Sequence, residues 1–590
     1  MRELRRKFPH QQQYIINKFV DSKGYYVTIG VICMNITYLV PPGNIPSVIR
    51  DPGEWFGNAQ LKGNDVQYYN SNNEFWNVLF SDEIQDLMVA NSFNVSLCNK
   101  VKEITSTISR LKTVNCIRTK KDFIEVVSEL SEYIDLLNNL QCEINISLIS
   151  PIHVKNLDYY DSKVLMDYCG KVTFLSKLVE RSLRSIQHNI DLLLVQITSY
   201  EDLLTALIAV VFLRKINKNM HVCLADHGYE NFSLSHFKDK FENSNTLSSI
   251  FDTIITYKEE KDSVINCLIN NIELGKQFRG FIDMSRFDKK KSSFCNNYIF
   301  PYVNSFTKTP ILSTRFNANG CYWSRCTFCS QNSKYKYINE QSNEHNSVVD
   351  RIEDFVKSGY KIIYFSDEAV HPKQIEEFSK AVIERGIELK WACRCRLESA
   401  FTKELISLMK KSGCYEILFG LESTSERVLK LMNKYPITMK SETMKSIIKD
   451  VINEGIKVHI TIIAGFPGEE ICDLKQTVDF LIDTLRGHED NAFWVNKFAL
   501  FQGTSILKNP EAFNINPLPI QNDLSIEYSF NYKNSPYSRK NSLINLISTL
   551  EDTLYNEIGW AKYGSSKEVK LAMFLYYFSG FGAVMKSKGV

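Results

Sequence analysis

Residues 311–329 read ILSTRFNANGCYWSRCTFC, a short strand pattern running into a loop with three cysteines. The spacing is Cys321-x₄-Cys326-x₂-Cys329, with aromatic residues between the thiols. Three close thiolates on one loop can hold a metal centre. A structural zinc site needs four protein ligands, and no nearby residue completes a set: Cys295 lies 26 residues upstream and His345 lies 16 downstream. Three thiolates suit a [4Fe–4S] cluster with one iron left open to a small molecule.

Outward from this loop, strand patterns alternate with helix patterns. The strand candidates after ILSTRF are KIIYFS (361–366), LKWACR (389–394), YEILFG (415–420), KVHITIIAG (457–465) and AFWVNKFAL (492–500). Helical periodicity fills the intervals, as in PKQIEEFSKAVIERG and SERVLKLMNK. Six βα units in series predict a partial (β/α)₆ barrel over about 305–510, followed by a C-terminal helical region over 511–590 that covers part of it. Each polar cluster sits where a strand ends, the edge at which such barrels build their active sites.

These clusters carry a resemblance when taken in order. The loop GCYWSRCTFC, with Phe328 before the third cysteine, resembles the cluster loop of the radical S-adenosylmethionine (SAM) superfamily. The commonest spacing there is C-x₃-C-x₂-C; this chain has one extra residue, similar to a variant among members with an N-terminal cobalamin-type domain. The resemblance implies that Cys321, Cys326 and Cys329 hold the cluster. It implies that Asp367 and Glu368 of YFSDEA (364–369) hold the amino group of SAM, where a cation needs carboxylate acceptors. Glu422 and Ser423 of FGLESTSERVLKLMNK (419–434) match the polar pair near the ribose and carboxylate, and IIAGFPGEE (462–470), with Gly465 and Gly468, resembles the adenine-contacting segment. Arg394 and Arg396 of WACRCRLES (391–399) alternate with Cys393 and Cys395; if the arginines face the barrel, either could pair with the cofactor carboxylate. Plainer readings stand beside these: Asp367 or Glu368 as a helix N-cap, Ser423 or Ser425 as another, His371 as a surface loop residue.

Before the barrel, strand patterns at 35–42, 64–70, 191–199, 221–226 and 251–257 predict a doubly wound, Rossmann-like α/β domain over 1–275. A helical insertion is expected over about 81–190, where Phe123, Val127, Leu130, Ile134 and Leu137 line one helix face. This domain is similar to the cobalamin-binding domain of the cobalamin-dependent branch. Asp226, His227 and Gly228 end a strand where corrinoid-contacting loops occur, but the D-x-H-x-x-G pattern is absent.

The resemblance implies cleavage of SAM to a 5′-deoxyadenosyl radical, with an electron donor such as flavodoxin or ferredoxin. It further implies cobalamin-dependent C-methylation of a peptide or natural-product precursor. The alternatives are radical modification without methyl transfer, such as cyclisation or epimerisation, and a non-catalytic metal-binding interaction protein. A precursor peptide is the expected partner, and the helical insertion is a candidate surface for its leader.

The wider composition agrees. The 590 residues are 44% hydrophobic and 23% charged, enough for a large core across two or three domains. A net charge of +3, from 70 basic and 67 acidic residues, gives no sign of a nucleic-acid partner. No apolar run reaches the ~18 residues of a membrane span, and the basic start MRELRRKFPHQQQ lacks the apolar core of a signal peptide. Fifteen cysteines, an odd number scattered over a long chain, predict reduced thiols and a cytoplasmic protein. No cysteine follows Cys472, so a further C-terminal cluster domain is not expected.

Overall fold

A strand covered on both faces must be apolar along its whole length, and Leu192–Ile197 is buried at every position. It lies at the centre of a parallel sheet. The computed structural model describes residues 14–20, 26–32, 34–44, 64–90, 101, 120–141, 143–226, 246–255, 280–282, 311–314, 316, 321–330, 344–435, 439–520, 522–533, 536–537 and 542–577. Of the residues singled out above, His227, Gly228 and Cys295 fall outside these residues.

The described residues divide into two compact units: 14–44, 64–78 and 156–282 in one, 79–155 and 311–577 in the other. In the first, an antiparallel hairpin pairs β1 (Tyr14–Val20) with β2 (Tyr26–Ile32). There follow β3 (Asn35–Val40), β4 (Asp65–Asn70) and α1 (Ser71–Leu79). The expected helical stretch over 81–190 divides between the units. To the second belong α2 (Glu83–Ala90), α3 (Lys120–Leu140) and the small antiparallel pair β5 (Ile144–Asn145) and β6 (His153–Val154). To the first belong α4 (Ser162–Cys169), α5 (Phe174–Ser182), β7 (Leu192–Ile197), α6 (Tyr200–Ile216), β8 (His221–Asp226), β9 (Thr253–Ile255) and β10 (Gly280–Ile282).

The sheet of the first unit is parallel throughout, in the order β10-β9-β8-β7-β3-β4. Counted along the chain this is the 2-1-3-4-5-6 order of a doubly wound fold, whose direction of winding reverses between β3 and β7. Helix α6 is apolar nearly all round, so it is an interior helix; Ser199 caps it by accepting from the Asp202 amide at 3.1 Å. At the point of reversal, Asn44 after β3 donates from Nδ2 to Thr198 Oγ1 at 3.1 Å and to the Asp202 carboxylate at 2.8 and 2.9 Å. These bonds hold together the two loops at the carboxyl edge where doubly wound sheets take their ligands.

The second unit is built on β11 (Ile311–Thr314), α7 (Glu344–Lys357), β12 (Ile362–Phe365), α8 (Pro372–Glu384), β13 (Lys390–Arg396), α9 (Lys403–Lys411), β14 (Cys414–Glu422), α10 (Glu426–Leu431), α11 (Ser441–Asn453), β15 (Lys457–Ala464), α12 (Ile471–Leu485) and β16 (Ala492–Lys497). The six strands are parallel and pair strictly in sequence, β11 to β16, as a partial (β/α)₆ barrel. Beyond it come α13 (Ser505–Lys508), α14 (Ser542–Ile558) and α15 (Ser566–Tyr577). α15 packs along α3, with Lys567 paired to Asp135.

Strand alternation explains which side chains reach the site. On β13, Trp391 faces the helices, meeting Phe378 edge-on at 5.5 Å and donating from Nε1 to Ser412 O at 3.0 Å. Cys393 and Cys395 share that buried face, their sulfurs 3.5 Å apart. Ala392, Arg394 and Arg396 therefore point the other way, into the barrel. Along the same inner rows Tyr364, Arg394, Leu418, Thr461 and Trp494 are half-exposed while their alternate neighbours are buried. The barrel thus encloses an open interior, with Glu416, Lys457 and His459 buried at its floor.

Candidate active site at the carboxyl end of the barrel

Residues 321–330 carry all three cysteines of the loop as free thiols. Cys326 is buried, and Cys321 and Cys329 are half-buried. The Cys329 amide donates to Cys326 O at 3.3 Å, so these two sit one turn apart. Burial pushes the Cys326 thiol up to about 11, against the pull of Lys434 and Arg396. Among the described residues no three Cys, His, Asp or Glu side chains converge on a single-ion site.

The four-residue spacer between Cys321 and Cys326 is held by its own contacts. Ser324 takes a left-handed turn (φ 45°) and its hydroxyl donates back to Cys321 O. That turn accommodates the extra residue and directs Trp323 outward. The Trp323 ring lies 4.4 Å from the Arg396 guanidinium, and its Nε1 donates to Asn433 O at 2.8 Å. Tyr322 donates its hydroxyl to Glu398, which also pairs with Arg396 at 3.0 Å. Burial first, then the charge of Glu398, keeps the Tyr322 phenol protonated well above its ordinary range. On its other side Tyr322 meets His371 edge-on at 4.7 Å. His371 is half-buried and is the N-cap of α8, accepting from the Lys373 amide at 3.1 Å, rather than a plain surface loop residue.

The remaining sequence candidates fall into distinct places. Asp367 is buried and accepts from the Phe316 amide at 2.8 Å, tying the end of β11 to that of β12; Glu368 beside it is half-exposed. Arg394 faces the barrel interior and donates from Nε to Tyr364 Oη at 2.9 Å. Arg396 is buried and committed to the loop, donating from Nη2 to Lys434 O at 2.6 Å. Glu422 is buried with a left-handed backbone (φ 65°), a strained state for a non-glycine residue that recurs at functional sites. Its Oε1 meets Lys434 Nζ at 3.0 Å. Gly420 makes room for this pair, since a Cβ there would stand 2.7 Å from Glu422 Oε1. Ser423 is fully buried, its hydroxyl 3.3 Å from Thr477 Oγ1 on α12 and accepting from the Ser425 amide at 3.2 Å; Ser425 caps α10.

The GFPGE segment closes the ring. Phe328 of the cysteine loop meets Phe466 edge-on at 6.3 Å, bringing the loop to the end of β15. Gly465 (φ 79°) is approached by protein rather than left open: an added Cβ would lie 2.3 Å from Leu543 Cδ2 and 3.2 Å from Tyr532 Oη. Tyr532 donates its hydroxyl to Gly465 O at 2.5 Å. Glu469 is buried; its Oε2 accepts from the Gly465 amide at 2.6 Å and from Tyr537 Oη at 3.1 Å. Burial raises its carboxyl to about 7, and the bonds from Gly465 and Tyr537 only partly oppose this. A carboxyl raised on folding binds more protons in the folded chain, so stability falls as pH rises from the unfolded value of about 4.3 to about 7. Glu469→Gln should remove that slope, seen as melting temperatures for this unit that no longer drop between pH 5 and pH 7.

Sequence reasoning missed Lys434, Tyr435, Tyr532 and Tyr537. Lys434 ends a helical pattern and resembles any exposed helix-end lysine. The tyrosines belong to an Asn- and Tyr-rich tract with no periodicity to place them.

Comparison with known proteins agrees with this geometry. Residues 318–481 match the model of the radical SAM superfamily. The anaerobic magnesium-protoporphyrin IX monomethyl ester cyclase of Rubrivivax gelatinosus is 27% identical over 165 residues, covering 27% of this chain and 28% of the relative. An uncharacterised methyltransferase of Pyrococcus horikoshii is 23% identical over 246 residues, covering 38% and 50%. The matches thus span at most half the length of these two curated relatives. In fold, the chain resembles the radical SAM methyltransferase TsrM of Kitasatospora setae, solved with cobalamin and a [4Fe–4S] cluster. The TM-score is 0.53 at 10% identity, over 94% of this chain and 99% of that one. A cysteine loop seated at the mouth of a sequentially paired parallel barrel agrees with the match of residues 318–481, which begins three residues before its first cysteine, to the radical SAM superfamily.

Proposed function

We propose that the protein is a cobalamin-dependent radical SAM methyltransferase acting on an unactivated carbon of a peptide or natural-product precursor. The observation that carries this is the seating of Cys321, Cys326 and Cys329 on a loop whose Trp323 stacks on Arg396 at the end of β13 and bonds Asn433 after α10, and whose Phe328 meets Phe466 at the end of β15. The donor set fits a [4Fe–4S] cluster: three free thiols, with cationic Lys434 and Arg396 acting on the most buried of them. When bound there, such a cluster supplies one electron to cleave SAM, releasing a 5′-deoxyadenosyl radical that takes hydrogen from substrate. This chain's residues do the rest. Half-exposed Glu368 offers a carboxylate to the SAM ammonium, while Glu422 at the end of β14 is committed to Lys434. Arg394, with Tyr364, directs a cation into the barrel for a carboxylate. Leu543, Tyr532 and Tyr537 exclude water from the Gly465 end.

The point of reversal in the first unit supports cobalamin there, since doubly wound sheets bind ligands at that edge. Lack of a D-x-H-x-x-G motif implies a corrinoid held without a histidine ligand. We place the enzyme in the cytoplasm, served by a flavodoxin or ferredoxin. Among the described residues no helix is long and apolar enough to cross a membrane.

The test is anaerobic incubation with hydroxocobalamin, reductant, SAM and any short precursor peptide found encoded beside this gene. Methyl transfer yields S-adenosylhomocysteine and 5′-deoxyadenosine together, and the purified protein retains corrinoid absorption. 5′-Deoxyadenosine alone, with no corrinoid retained, would replace this reading with cyclisation or epimerisation.

A further inference from the structure

The cysteine loop rests on Leu431–Tyr435, the last residue of α10 and the four that follow it. Four hydrogen bonds join them. Thr327 donates from its amide to Met432 O at 2.9 Å and from Oγ1 to Leu431 O at 3.0 Å. Trp323 Nε1 donates to Asn433 O at 2.8 Å, and Asn433 Nδ2 donates to Arg325 O at 2.9 Å. Arg396 adds a further clamp, its guanidinium between the Trp323 ring at 4.4 Å and the Tyr435 ring at 5.5 Å while donating to Lys434 O.

Lys434 is the charged member of this cradle and is 6% exposed. A buried ion pair adds little stability over a well-packed apolar pair, because desolvating both charges costs several kcal/mol. A methionine would fill similar space without that cost, so the ammonium calls for a role beyond packing. Its neighbours suggest one. Lys434 follows Asn433, whose carbonyl and side chain hold the cysteine loop, so its buried charge is built into the segment on which that loop rests. Its ammonium is paired with the Glu422 carboxylate at 3.0 Å, a partner that keeps it charged.

We propose that Lys434 is a positioning residue for the cluster loop whose fixed charge raises the reduction potential of a cluster bound by Cys321, Cys326 and Cys329. This rests on the functional reading above. The physical basis is direct: one-electron reduction makes the cluster more negative, and a nearby cation in a low-dielectric setting favours that state. In the titration one electron passes from dithionite to the cluster, no bond is made or broken, and Lys434 stays protonated.

The experiment is a potentiometric titration of anaerobically reconstituted full-length protein, with dithionite and mediators, followed by electron paramagnetic resonance (EPR). Lys434→Met should bind iron as wild type does. At a fixed potential its reduced-to-oxidised ratio should fall about tenfold, a midpoint about 59 mV lower for one electron. Lys434→Arg, which keeps the charge, should stay within about threefold of wild type. If the unpaired Glu422 prevents Lys434→Met from folding, the double variant Glu422→Gln/Lys434→Met removes both charges. Its midpoint should lie between those of wild type and the single variant. A wild-type midpoint in the charge-removing variant that folds, or an equal shift in Lys434→Arg, would overturn the proposal while leaving the cluster intact. Wild-type protein that takes up no cluster would instead sink the functional reading on which this rests.

Discussion

Cys326→Ala is expected to leave the purified protein with background iron and no measurable cleavage of SAM. Cys326 is the most buried of the three thiols in its loop, and the Cys329 amide folds back onto its carbonyl. Thiolates are the ligands a cluster requires, and a buried alanine offers no substitute. Iron analysis, the broad iron–sulfur absorption and 5′-deoxyadenosine release should therefore fall together, from about four iron per chain to background. Cys414→Ala is the matched control. Cys414 is also buried, but it begins β14, at the opposite end of the strand from the loop, and faces the Glu416 carbonyl. It should keep its iron. Loss of iron in both variants would point to general unfolding, and retention in both would remove the loop from the metal site.

Glu422→Ala should carry the largest stability cost at the site, about 3–5 kcal/mol, because it leaves the buried ammonium of Lys434 without its partner. Backbone strain does not enter the difference, since alanine inherits the same left-handed conformation. The sign of the pH dependence changes too. In the native protein Lys434 is held above its ordinary value, so its contribution is complete below the unfolded pKa near 10.4 and is lost only at more alkaline pH. Without Glu422, burial dominates and the value falls below the unfolded one. The folded chain then binds fewer protons than the unfolded chain, so the variant gains stability as pH rises toward that value. Chemical denaturation of this unit at pH 7 and pH 9.5 checks this: Glu422→Ala should be less unstable at the higher pH, and wild type should not show that gain from Lys434.

The architecture was legible because it depends on local pattern. IIYF and the largely apolar LLLVQI are bounded by turns, and KVHITIIA alternates polar with apolar residues; each is a strand of a parallel sheet. The cysteine loop was legible because thiols at that spacing are rare. Side-chain direction was partly legible: alternation on β13 required Arg394 and Arg396 to share a face. Their division of labour was not, because Arg396 is occupied by Trp323 and Lys434, both distant in sequence. The glycine of GFPGE was expected to admit a planar ligand; the groups closest to it are Leu543 and Tyr532, which no local pattern could bring there. Likewise the helical stretch before residue 190 gave no sign that α3 would pack along α15, more than 400 residues later, where Lys567 meets Asp135.

The central claim is that the loop of Cys321, Cys326 and Cys329 holds a four-iron cluster whose fourth iron is open to SAM. The most direct measurement is EPR of the reduced, anaerobically reconstituted protein before and after SAM is added. A [4Fe–4S] signal whose shape changes with one equivalent of SAM is expected, since the open iron would take on the amino and carboxylate groups. A signal untouched by saturating SAM, or stoichiometric zinc in place of iron, would contradict it.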